Sequence, residues 1–320
     1  MCGIAGYVGK GDEQILKKMI DSLKHRGPND NGVFVKNDIG LSQARLSIID
    51  LSSAGHQPMS NVDQSLWVVF NGEIYNFLDL KDELLKKGKY FFKSKTDTEV
   101  LLYLYEEYGE AMFKKINGMF AIALYDFKKG KLILARDRMG KKPLYWGLFN
   151  STLIFGSELK AILEHPLVQK EIDLDSLNQY LAFEYVPTPR SIFKSIYKLE
   201  PATFLVFQGG EVKKEKFWQL DFSVSKLPFK EAVFALDNLT NQAVKSRLMS
   251  DVPIGIFLSG GLDSSTIAYY AQKNSGQKIK TFSIGFEEKS FDESRYAKTV
   301  SDFLGTEHCH SFLLLKKCWR

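Results

Sequence analysis

The second residue of the chain is a cysteine directly behind the first methionine, in the run Met1-Cys2-Gly3. Removal of Met1 is favoured before so small a side chain, and it would leave Cys2 with both a thiol and a free α-amino group. Such an amino group has a pKa of about 7.7 to 8.0, so at neutral pH it is uncharged in a fraction of the molecules. In these molecules it can accept the thiol proton, directly or through one water. The thiolate is the reactive form of cysteine. We therefore expect Cys2 to be a nucleophile, against the plainer alternative of a small buried side chain in a first strand.

Arg45 lies among apolar neighbours in a strand-like run over residues 40–49. It is either an exposed strand position or a guanidinium fork that holds a carboxylate, a task that suits arginine better than lysine. Both interpretations stay open at this point.

Asn71 and Gly72 follow the buried-strand signature of residues 66–70 and precede a helix predicted from about residue 78 to 87. An Asn-Gly pair after a strand first of all predicts a turn. The same corner could offer an amide side chain and a glycine N–H pointing the same way, as stabilisation of an oxyanion requires. Asp97 lies in a stretch with capping-box spacing, residues 96–99, so its plainer role is that of a first-turn carboxylate facing the helix dipole. That role does not exclude ligand binding.

A stretch rich in glycine and serine follows a buried strand near the end of the chain. It reads Ser259-Gly260-Gly261-Leu262-Asp263-Ser264-Ser265. Paired glycines let the backbone approach a ligand closely, while the N–H groups of the next helix and the serine hydroxyls converge on a point that suits phosphate. No Gly-Lys-Ser/Thr follows, so it is not the lysine-bearing P-loop, and simple γ-phosphate transfer is disfavoured. The alternative is a glycine turn followed by a helix cap.

Predicted strands in the first two thirds of the chain are flanked by helices. Helical spacing of apolar residues predicts helices over residues 13–25, 157–163 and 174–182, and strands are predicted at 32–35, 40–49, 66–70, 120–125, 131–136, 144–146 and 153–155, with a last hairpin turning at Gly209-Gly210. This order indicates an α+β domain of stacked antiparallel sheets with helical cover. Residues 213–228 are predicted to be a linker.

From residue 229 the pattern changes to alternating helix and strand. A helix precedes the buried run 254–258, the serine-rich stretch opens a second helix, and another strand and helix follow over residues 281–286 and 292–304. This alternation predicts βαβ units and a parallel sheet.

The composition is that of a soluble globular protein of two domains, with 320 residues, 44% hydrophobic and 25% charged. The net charge of +5 is spread without a basic block, and no apolar run approaches membrane-spanning length, so we expect neither nucleic acid nor membrane as a partner. Cys2, Cys309 and Cys318 are too few and too badly spaced for a disulfide framework or a metal cluster, which suits a cytoplasmic location.

Taken together, these stretches resemble the glutamine-hydrolysing asparagine synthetases of the class II amidotransferase family, over nearly everything from Cys2 to about Phe312. The resemblance implies an α+β N-terminal-nucleophile hydrolase, an αββα sandwich, over residues 1–212. After the linker it implies an incomplete α/β parallel-sheet ATP pyrophosphatase (PP-loop) domain over residues 229–320. Because the family continues for roughly another domain, we expect the chain to be a truncated or frameshifted form of a longer protein.

The resemblance also assigns the site residues. The catalytic set is Cys2, with Asn71 and Gly72 for the oxyanion. Glutamine would be bound by Arg45, Leu46, Ser47, Ile48, Ile49, Asn71, Gly72, Glu73 and Asp97. ATP would be bound by Leu258, Ser259, Gly260, Gly261, Leu262, Asp263, Ser264, Ser265 and Ile284. Mg²⁺ would be reached from Asp263 through the pyrophosphate.

The implied activity joins two half-reactions. Cys2 attacks the side-chain amide of glutamine, ammonia leaves as a thioester forms, and water releases glutamate. ATP then adenylates the side-chain carboxylate of aspartate to β-aspartyl-AMP, and ammonia displaces AMP to give asparagine. The implied cofactors are ATP and Mg²⁺. The implied partners are the small molecules glutamine, aspartate and ATP. The chain could also form a homodimer.

Three alternatives remain open at this stage. The chain could amidate a carboxylate other than that of aspartate, or act as a fragment with glutaminase activity only. It could also be a catalytically silent interaction protein, although Cys2, Arg45 and Asp97 are all intact.

Overall fold

The computed structural model describes residues 1–224 and 226–313. The chain divides into two compact units, Met1–Asp221 and Phe222–Arg320. Cys318 and the rest of the predicted second domain beyond residue 313 lie outside the described residues.

The strands of the first unit form two six-stranded antiparallel sheets. In chain order they are β1 (Gly3–Val8), β2 (Asp30–Lys36), β3 (Ile39–Arg45), β4 (Met59–Ser60), β5 (Leu66–Ile74), β6 (Gly118–Asp126), β7 (Lys131–Arg136), β8 (Tyr145–Phe149), β9 (Thr152–Gly156), β10 (Tyr197–Lys198), β11 (Thr203–Gln208) and β12 (Glu211–Lys216). The first sheet has the order β10-β8-β9-β1-β3-β2 and the second the order β12-β11-β7-β6-β5-β4.

The first unit contains six α-helices, and several of them cover the outer faces of the two sheets. They are α1 (Glu13–Asp21), α2 (Phe77–Leu85), α3 (Asp97–Tyr108), α4 (Met112–Lys115), α5 (Leu159–Leu163) and α6 (Leu174–Phe183). Helices α1 and α5 pack on the first sheet and α3 packs on β5 of the second. Helix α1 ends at Asp21, earlier than predicted, because the chain then turns into a 3-10 helix, Lys24–Arg26.

A single apolar layer separates the two sheets. Its buried members come from both of them, for example Ile4, Leu41 and Phe155 from the first and Val69 and Leu134 from the second. Alternation along each strand directs every second side chain into this layer. The arrangement is helix, sheet, sheet, helix, and the predicted αββα sandwich is confirmed.

Two predicted strand boundaries near the cysteine are wrong. The strand predicted to run to Ile49 ends at Arg45, since the next residues leave the sheet and wrap around the Arg45 guanidinium. The turn predicted at Asn71 and Gly72 is instead the continuation of β5, because both residues pair with β6, opposite Ala121 and Phe120. Cross-strand pairing overrides the local turn preference here.

The last hairpin turns at Gly209-Gly210 as predicted, and both glycines have positive φ. Its second strand runs on to Lys216, so residues 213–216 belong to β12 and not to the predicted linker.

The second unit alternates helix and strand. Its elements are α7 (Phe229–Arg247), β13 (Gly255–Phe257), α8 (Leu262–Asn274), β14 (Lys280–Phe286), α9 (Ser294–Leu304) and β15 (Glu307–Leu313). The strands form a parallel sheet in the order β13-β14-β15, which confirms the predicted architecture. None of the helices in the described part of the chain combines the length and apolar character needed to cross a membrane.

Candidate active site

A cavity in the first unit gathers most of the residues predicted to act on glutamine. Its wall includes Cys2, Arg45, Leu46, Ile48, Ile49, Gly72, Glu73 and Asp97, whereas Ser47 and Asn71 do not line it. Five further lining residues were missed by the sequence analysis: Gln43, Gln57, Phe70, Thr96 and Thr98.

Strand alternation explains why side chains from β1 and β3 meet in this cavity. Ile4 and Leu41 point into the layer between the sheets. Side chains two residues apart share a face of a strand. Cys2, just before β1, therefore lies on the face of Ile4, while Gln43 and Arg45 extend the face of Leu41. The polar residues form one end of the layer whose centre is apolar.

The Cys2 thiol lies against the backbone of Leu46. The Leu46 N–H donates to Sγ at 3.3 Å, and the S–H donates to Leu46 O at 3.6 Å. Arg26 is bonded to Glu158 at 2.8 Å and donates from Nε to Cys2 O at 2.9 Å, which fixes the start of the chain. Burial raises the pKa of the Cys2 thiol, so the thiol needs a base at neutral pH. Burial also lowers the pKa of the α-amino group of Met1, the residue that precedes Cys2 in the structure.

The Arg45 guanidinium is held by the loop that follows it. Nη2 donates to Asp50 O at 2.6 Å and to Ile49 O at 3.2 Å, and Nη1 donates to Ser52 O at 3.2 Å. Carbonyl oxygens orient a guanidinium without neutralising it, so its charge can still attract a ligand carboxylate. Gly55 makes room for this arrangement, since a Cβ there would lie 2.0 Å from Nη2.

One edge of strand β5 faces the cavity. The Phe70 N–H donates to Gln57 Oε1 at 2.7 Å, and the Ile74 N–H donates to Asp97 Oδ2 at 2.8 Å. In an antiparallel ladder the N–H groups of alternate residues point to the same side. The Gly72 N–H therefore lies between these two and faces the cavity. A Cβ at Gly72 would lie 2.1 Å from a backbone oxygen of β6, so only glycine fits.

Two buried amide atoms on the strands around the cavity, Nδ2 of Asn71 and Oε1 of Gln43, have no hydrogen-bond partner among the residues that the structure describes. Both residues are 1% exposed. Asn71 lies two residues beyond Val69 on β5 and so shares its face towards the layer between the sheets. Buried polar atoms without partners are rare in folded proteins. The Asn71 amide is thus a donor without a partner, and it lies next to the Gly72 N–H, which strand alternation directs towards the cavity.

The half-buried Glu73 and the buried Asp97 form a pair of carboxyl groups in the cavity wall. Burial and the nearby Asp97 together raise the pKa of Glu73 to about 8, and Lys142 opposes the shift. Burial likewise raises the pKa of Asp97 to about 6, against hydrogen bonds from backbone N–H groups and the charge of Arg45. A cation placed at this pair would favour the ionised form of both carboxyls.

Lys142 is a cation that the sequence analysis did not single out. It is 6% exposed, and burial lowers its pKa, opposed by the charges of Glu73 and Cys2. Its charge favours an ionised Glu73 and a Cys2 thiolate. It lies in the turn segment after β7, where the local sequence carries no sign of this proximity.

In the second unit the predicted phosphate loop joins β13 to α8. Gly260 has a φ of +84°, and a Cβ there would lie 2.5 Å from the backbone of Tyr296. The hydroxyls of Ser259 and Ser264 lie 3.0 Å apart, and the Gly261 N–H donates to Ser259 Oγ at 3.2 Å. The loop therefore curls back on itself at the start of α8, as a phosphate site requires.

The other residues predicted to bind the nucleotide differ in how far they are buried. The Ser265 hydroxyl is buried and has no hydrogen-bond partner among the described residues. Leu262 and Asp263 are exposed in the first turn of α8, and Ile284 is half exposed on β14. Leu258 is buried in the core of the unit, so its side chain supports the loop from beneath.

The described residues do not form a magnesium site by themselves. Residues 1–224 and 226–313 contain no group of three or more His, Cys, Asp or Glu placed to hold a metal ion. Asp263 is a single exposed carboxylate. Magnesium is commonly bound by one or two carboxylates together with substrate phosphates, so Mg²⁺ would have to arrive here with a nucleotide.

This fold, with a cysteine at the head of its first strand, is that of an N-terminal-nucleophile amidotransferase. Residues 1–218 match the model of the glutamine amidotransferase domain, and residues 235–316 match that of asparagine synthase. The chain belongs to the glutamine amidotransferase family, in the branch where an asparagine synthase domain follows.

Curated relatives of the chain include glutamine-hydrolysing asparagine synthetases. The chain is 41% identical to a putative glutamine-hydrolysing asparagine synthetase 2 of Methanocaldococcus jannaschii, over 98% of this chain and 65% of the relative. It is 37% identical to the glutamine-hydrolysing asparagine synthetase 1 of Bacillus subtilis, over 96% of this chain and 49% of the relative. It is 32% identical to the amidase chyE of Penicillium rubens, over 96% of this chain and 50% of the relative. The chain thus spans about half to two thirds of the length of these relatives.

Two solved structures share the fold. The match to an allosteric regulatory enzyme of purine biosynthesis covers 98% of this chain and 90% of the chain of that enzyme, with a TM-score of 0.52 and 15% sequence identity. The match to the glutamine phosphoribosylpyrophosphate amidotransferase of B. subtilis, complexed with ADP and GMP, covers 97% of this chain and 65% of the amidotransferase chain, with a TM-score of 0.50 and 18% sequence identity. At such low identity the likeness concerns the fold alone.

Proposed function

We propose that this chain hydrolyses glutamine at Cys2 and, as part of a longer protein, supplies ammonia for the ATP-dependent conversion of aspartate to asparagine. One observation carries the first half of this proposal. A thiol, a guanidinium, a pair of carboxyls and the backbone of Gly72 line one cavity, and the Asn71 amide next to Gly72 has an Nδ2 without a partner among the described residues. Glutamine has the complementary parts: an amide, a carboxylate and an ammonium group.

Substrate binding follows from the charges. The Arg45 guanidinium is already oriented by the loop carbonyls and would take the α-carboxylate of glutamine through its charge and the N–H groups that those carbonyls leave free. Glu73 and Asp97 would take the α-ammonium. Ile48 and Ile49 line the cavity and enclose the ligand on the loop side.

The chemistry begins with the Cys2 thiol, whose raised pKa makes a base necessary. After removal of Met1 the α-amino group of Cys2 takes the thiol proton, and Sγ attacks the amide carbon. Asn71 Nδ2 and the Gly72 N–H stabilise the oxyanion, a contribution typically worth about 3 to 4 kcal/mol per donor. The nitrogen takes the proton and leaves as ammonia, a thioester remains on Cys2, and water then releases glutamate.

The second half of the proposal rests on the asparagine synthase match and on the loop at the start of α8. Ser259 and Ser264, with the N–H groups that open α8, would hold the pyrophosphate end of ATP. Mg²⁺ would accompany the nucleotide. Aspartate is the acceptor that the names of the relatives favour.

A different acceptor carboxylate is the second candidate, because the likeness to amidase chyE extends over 96% of this chain. A cytoplasmic location and a homodimer also remain predictions. A reducing compartment would keep Cys2 in the free-thiol state seen here, and analytical ultracentrifugation would measure self-association.

The test of the glutaminase is direct. The chain is incubated with glutamine, and glutamate and ammonia are measured. In parallel it is treated with a chloroketone analogue of glutamine and examined by intact-protein and peptide mass spectrometry. We expect both products and one adduct, on Cys2. A chain that releases no glutamate and takes no adduct would contradict the proposal.

The amidation half has its own test. The complete protein is supplied with ATP, Mg²⁺, ammonia and either aspartate or another carboxylic acid, and AMP is measured. AMP formed fastest with aspartate supports the proposal. Faster turnover of another acid would support the second candidate.

A further inference from the structure

Gln43 is a fully buried amide side chain on β3, two residues before Arg45, and it lines the cavity of Cys2. Its Nε2 donates to Phe70 O at 2.7 Å. This bond decides which end of the amide faces which way, because the flipped orientation would place two carbonyl oxygens against each other. Oε1 is therefore the end without a partner.

Nothing in the described part of the chain donates a hydrogen bond to Gln43 Oε1. Buried acceptors are satisfied in nearly all native structures, and one that is not satisfied destabilises the fold. Gln43 itself lines the cavity, on the face of β3 that continues towards Arg45. An N–H donor from a ligand would remove this destabilisation, because it would give Oε1 a hydrogen bond.

Gln57 provides the contrast within the same wall. It is also a buried glutamine, but both of its ends are satisfied: Oε1 accepts from Phe70 N at 2.7 Å, and Nε2 donates to Thr98 Oγ1 at 2.9 Å. Gln57 is structural. Of these two glutamines, Gln43 is the one with an unpartnered atom among the described residues.

We propose that Oε1 of Gln43 accepts an N–H of the substrate carboxamide and keeps that bond while the nitrogen departs as ammonia. This inference rests on the glutaminase activity proposed above. It makes Gln43 a specificity-determining residue that distinguishes an amide from an ester or a carboxylate.

The step balances without any further reactant. The bond from Sγ of Cys2 to the amide carbon forms, the carbon–nitrogen bond breaks, and the nitrogen gains the proton that the thiol lost. Asn71 and Gly72 donate to the oxygen of the reacting group, and Gln43 accepts from its nitrogen. The γ-carboxylate of the product glutamate has no N–H to offer, so it meets Oε1 with an oxygen and is repelled, which favours product release.

The experiment compares two substrates of this chain: glutamine, and the γ-methyl ester of glutamate, whose leaving oxygen carries no hydrogen. The variant Gln43→Met keeps the length of the side chain and removes the acceptor. We expect kcat/KM for glutamine to fall about ten- to hundred-fold, and kcat/KM for the ester to change less than about three-fold. The ratio of the two values is the readout, since a merely structural role would lower both together.

Two further variants keep the outcome decisive. Gln43→Glu in its protonated form retains a donor for Phe70 O and an acceptor for the substrate, and is expected to keep the ratio near that of the unmodified chain, even if Gln43→Met folds poorly. Gln57→Met is the matched control, and it should leave the ratio unchanged.

Equal losses on both substrates in Gln43→Met would overturn the inference, as would a ratio that falls in Gln43→Glu or in Gln57→Met. In each of those cases the unmodified chain still hydrolyses glutamine, and the proposed function stands. A chain that hydrolyses neither substrate before any substitution would overturn the proposed function itself.

Discussion

Gly55 and Arg45 are matched in space: a Cβ on Gly55 would lie 2.0 Å from Nη2 of Arg45 and 2.6 Å from its Cζ. The guanidinium occupies the volume that a side chain at position 55 would need. Gly55→Ala should therefore displace Arg45 from the carbonyls of Ile49 and Asp50, and we expect KM for glutamine to rise about ten-fold or more. Steady-state kinetics measure this.

A double-mutant cycle tests whether Gly55 acts through Arg45. Arg45→Ala should weaken glutamine binding while leaving alkylation of Cys2 by a neutral reagent intact. Adding Gly55→Ala to Arg45→Ala should cause little further loss, because the two changes remove the same interaction. Additive losses would mean that Gly55 acts elsewhere, and loss of alkylation in Arg45→Ala would point to a structural role.

Cys2 and Cys309 are both free cysteines, and they should behave oppositely. Cys2→Ser, or retention of Met1, should abolish glutamate release and thioester formation, because the nucleophile or its base is lost. Cys309→Ser, which changes an exposed thiol, should leave the glutaminase rate unchanged. Mass spectrometry of the trapped thioester and a glutamate assay measure both. An unchanged rate in Cys2→Ser would end the proposed mechanism.

Glutamine should bind more tightly as the pH rises from 6 to 8. Burial raises the pKa of Glu73 to about 8, so its carboxyl is largely neutral at pH 6 and about half ionised at pH 8. The ionised form attracts the α-ammonium of glutamine. Calorimetry on the inactive Cys2→Ser variant should show the dissociation constant falling several-fold over this range.

The control for this pH dependence is a carboxyl at the surface. Glu73→Gln should remove the part of the pH dependence that is centred near pH 8. Glu83→Gln, which changes a surface carboxyl whose pKa is lowered by Tyr108 and Lys115, should retain it. A flat profile in the Cys2→Ser protein would show that Glu73 does not meet the ammonium.

The same carboxyl should limit stability in alkaline solution. The folded-state pKa of Glu73 lies above the unfolded value of about 4.3. Its protonated form is therefore favoured by folding, and this contribution is present below pH 4 and is lost as the pH rises towards 8. Glu73→Gln should raise the free energy of unfolding by about 1 to 2 kcal/mol at pH 8, and the gain should shrink towards pH 4.5. Urea unfolding at both pH values measures this, and a gain independent of pH would contradict it.

Gly260 should be needed for nucleotide binding and not for glutaminase activity. Its φ of +84° and the closeness of Tyr296 leave no room for a side chain. Gly260→Ala should weaken binding of pyrophosphate by about ten-fold or more, while glutamate release stays unchanged. Gly276→Ala is the matched control in the same unit, since a Cβ at Gly276 meets nothing within 4 Å. Equal binding in both variants would argue against this loop as the phosphate site.

Local sequence was sufficient for the elements and for the residues that carry chemistry in short motifs. Alternation of apolar residues predicted the two sheets and the parallel sheet, because the side-chain period of a strand is set by its backbone. Cys2, Gly72 and Asp97 were found because each stands in a stretch whose residue types suggest a reaction or a cap. Even there, the extent of β3 and β5 was wrong, since pairing with β6 and the demands of a buried guanidinium outweighed local preference.

The tertiary structure alone decided which polar groups are left for a ligand. Gln43 is bonded to Phe70, 27 residues away, and Gln57 to Thr98, 41 residues away, so two glutamines that look alike in the sequence differ in what remains free. The raised pKa of Glu73 likewise depends on burial and on charges brought from other segments. Hydrogen-bond satisfaction and desolvation depend on three-dimensional neighbours, and a single sequence does not contain the distances between them.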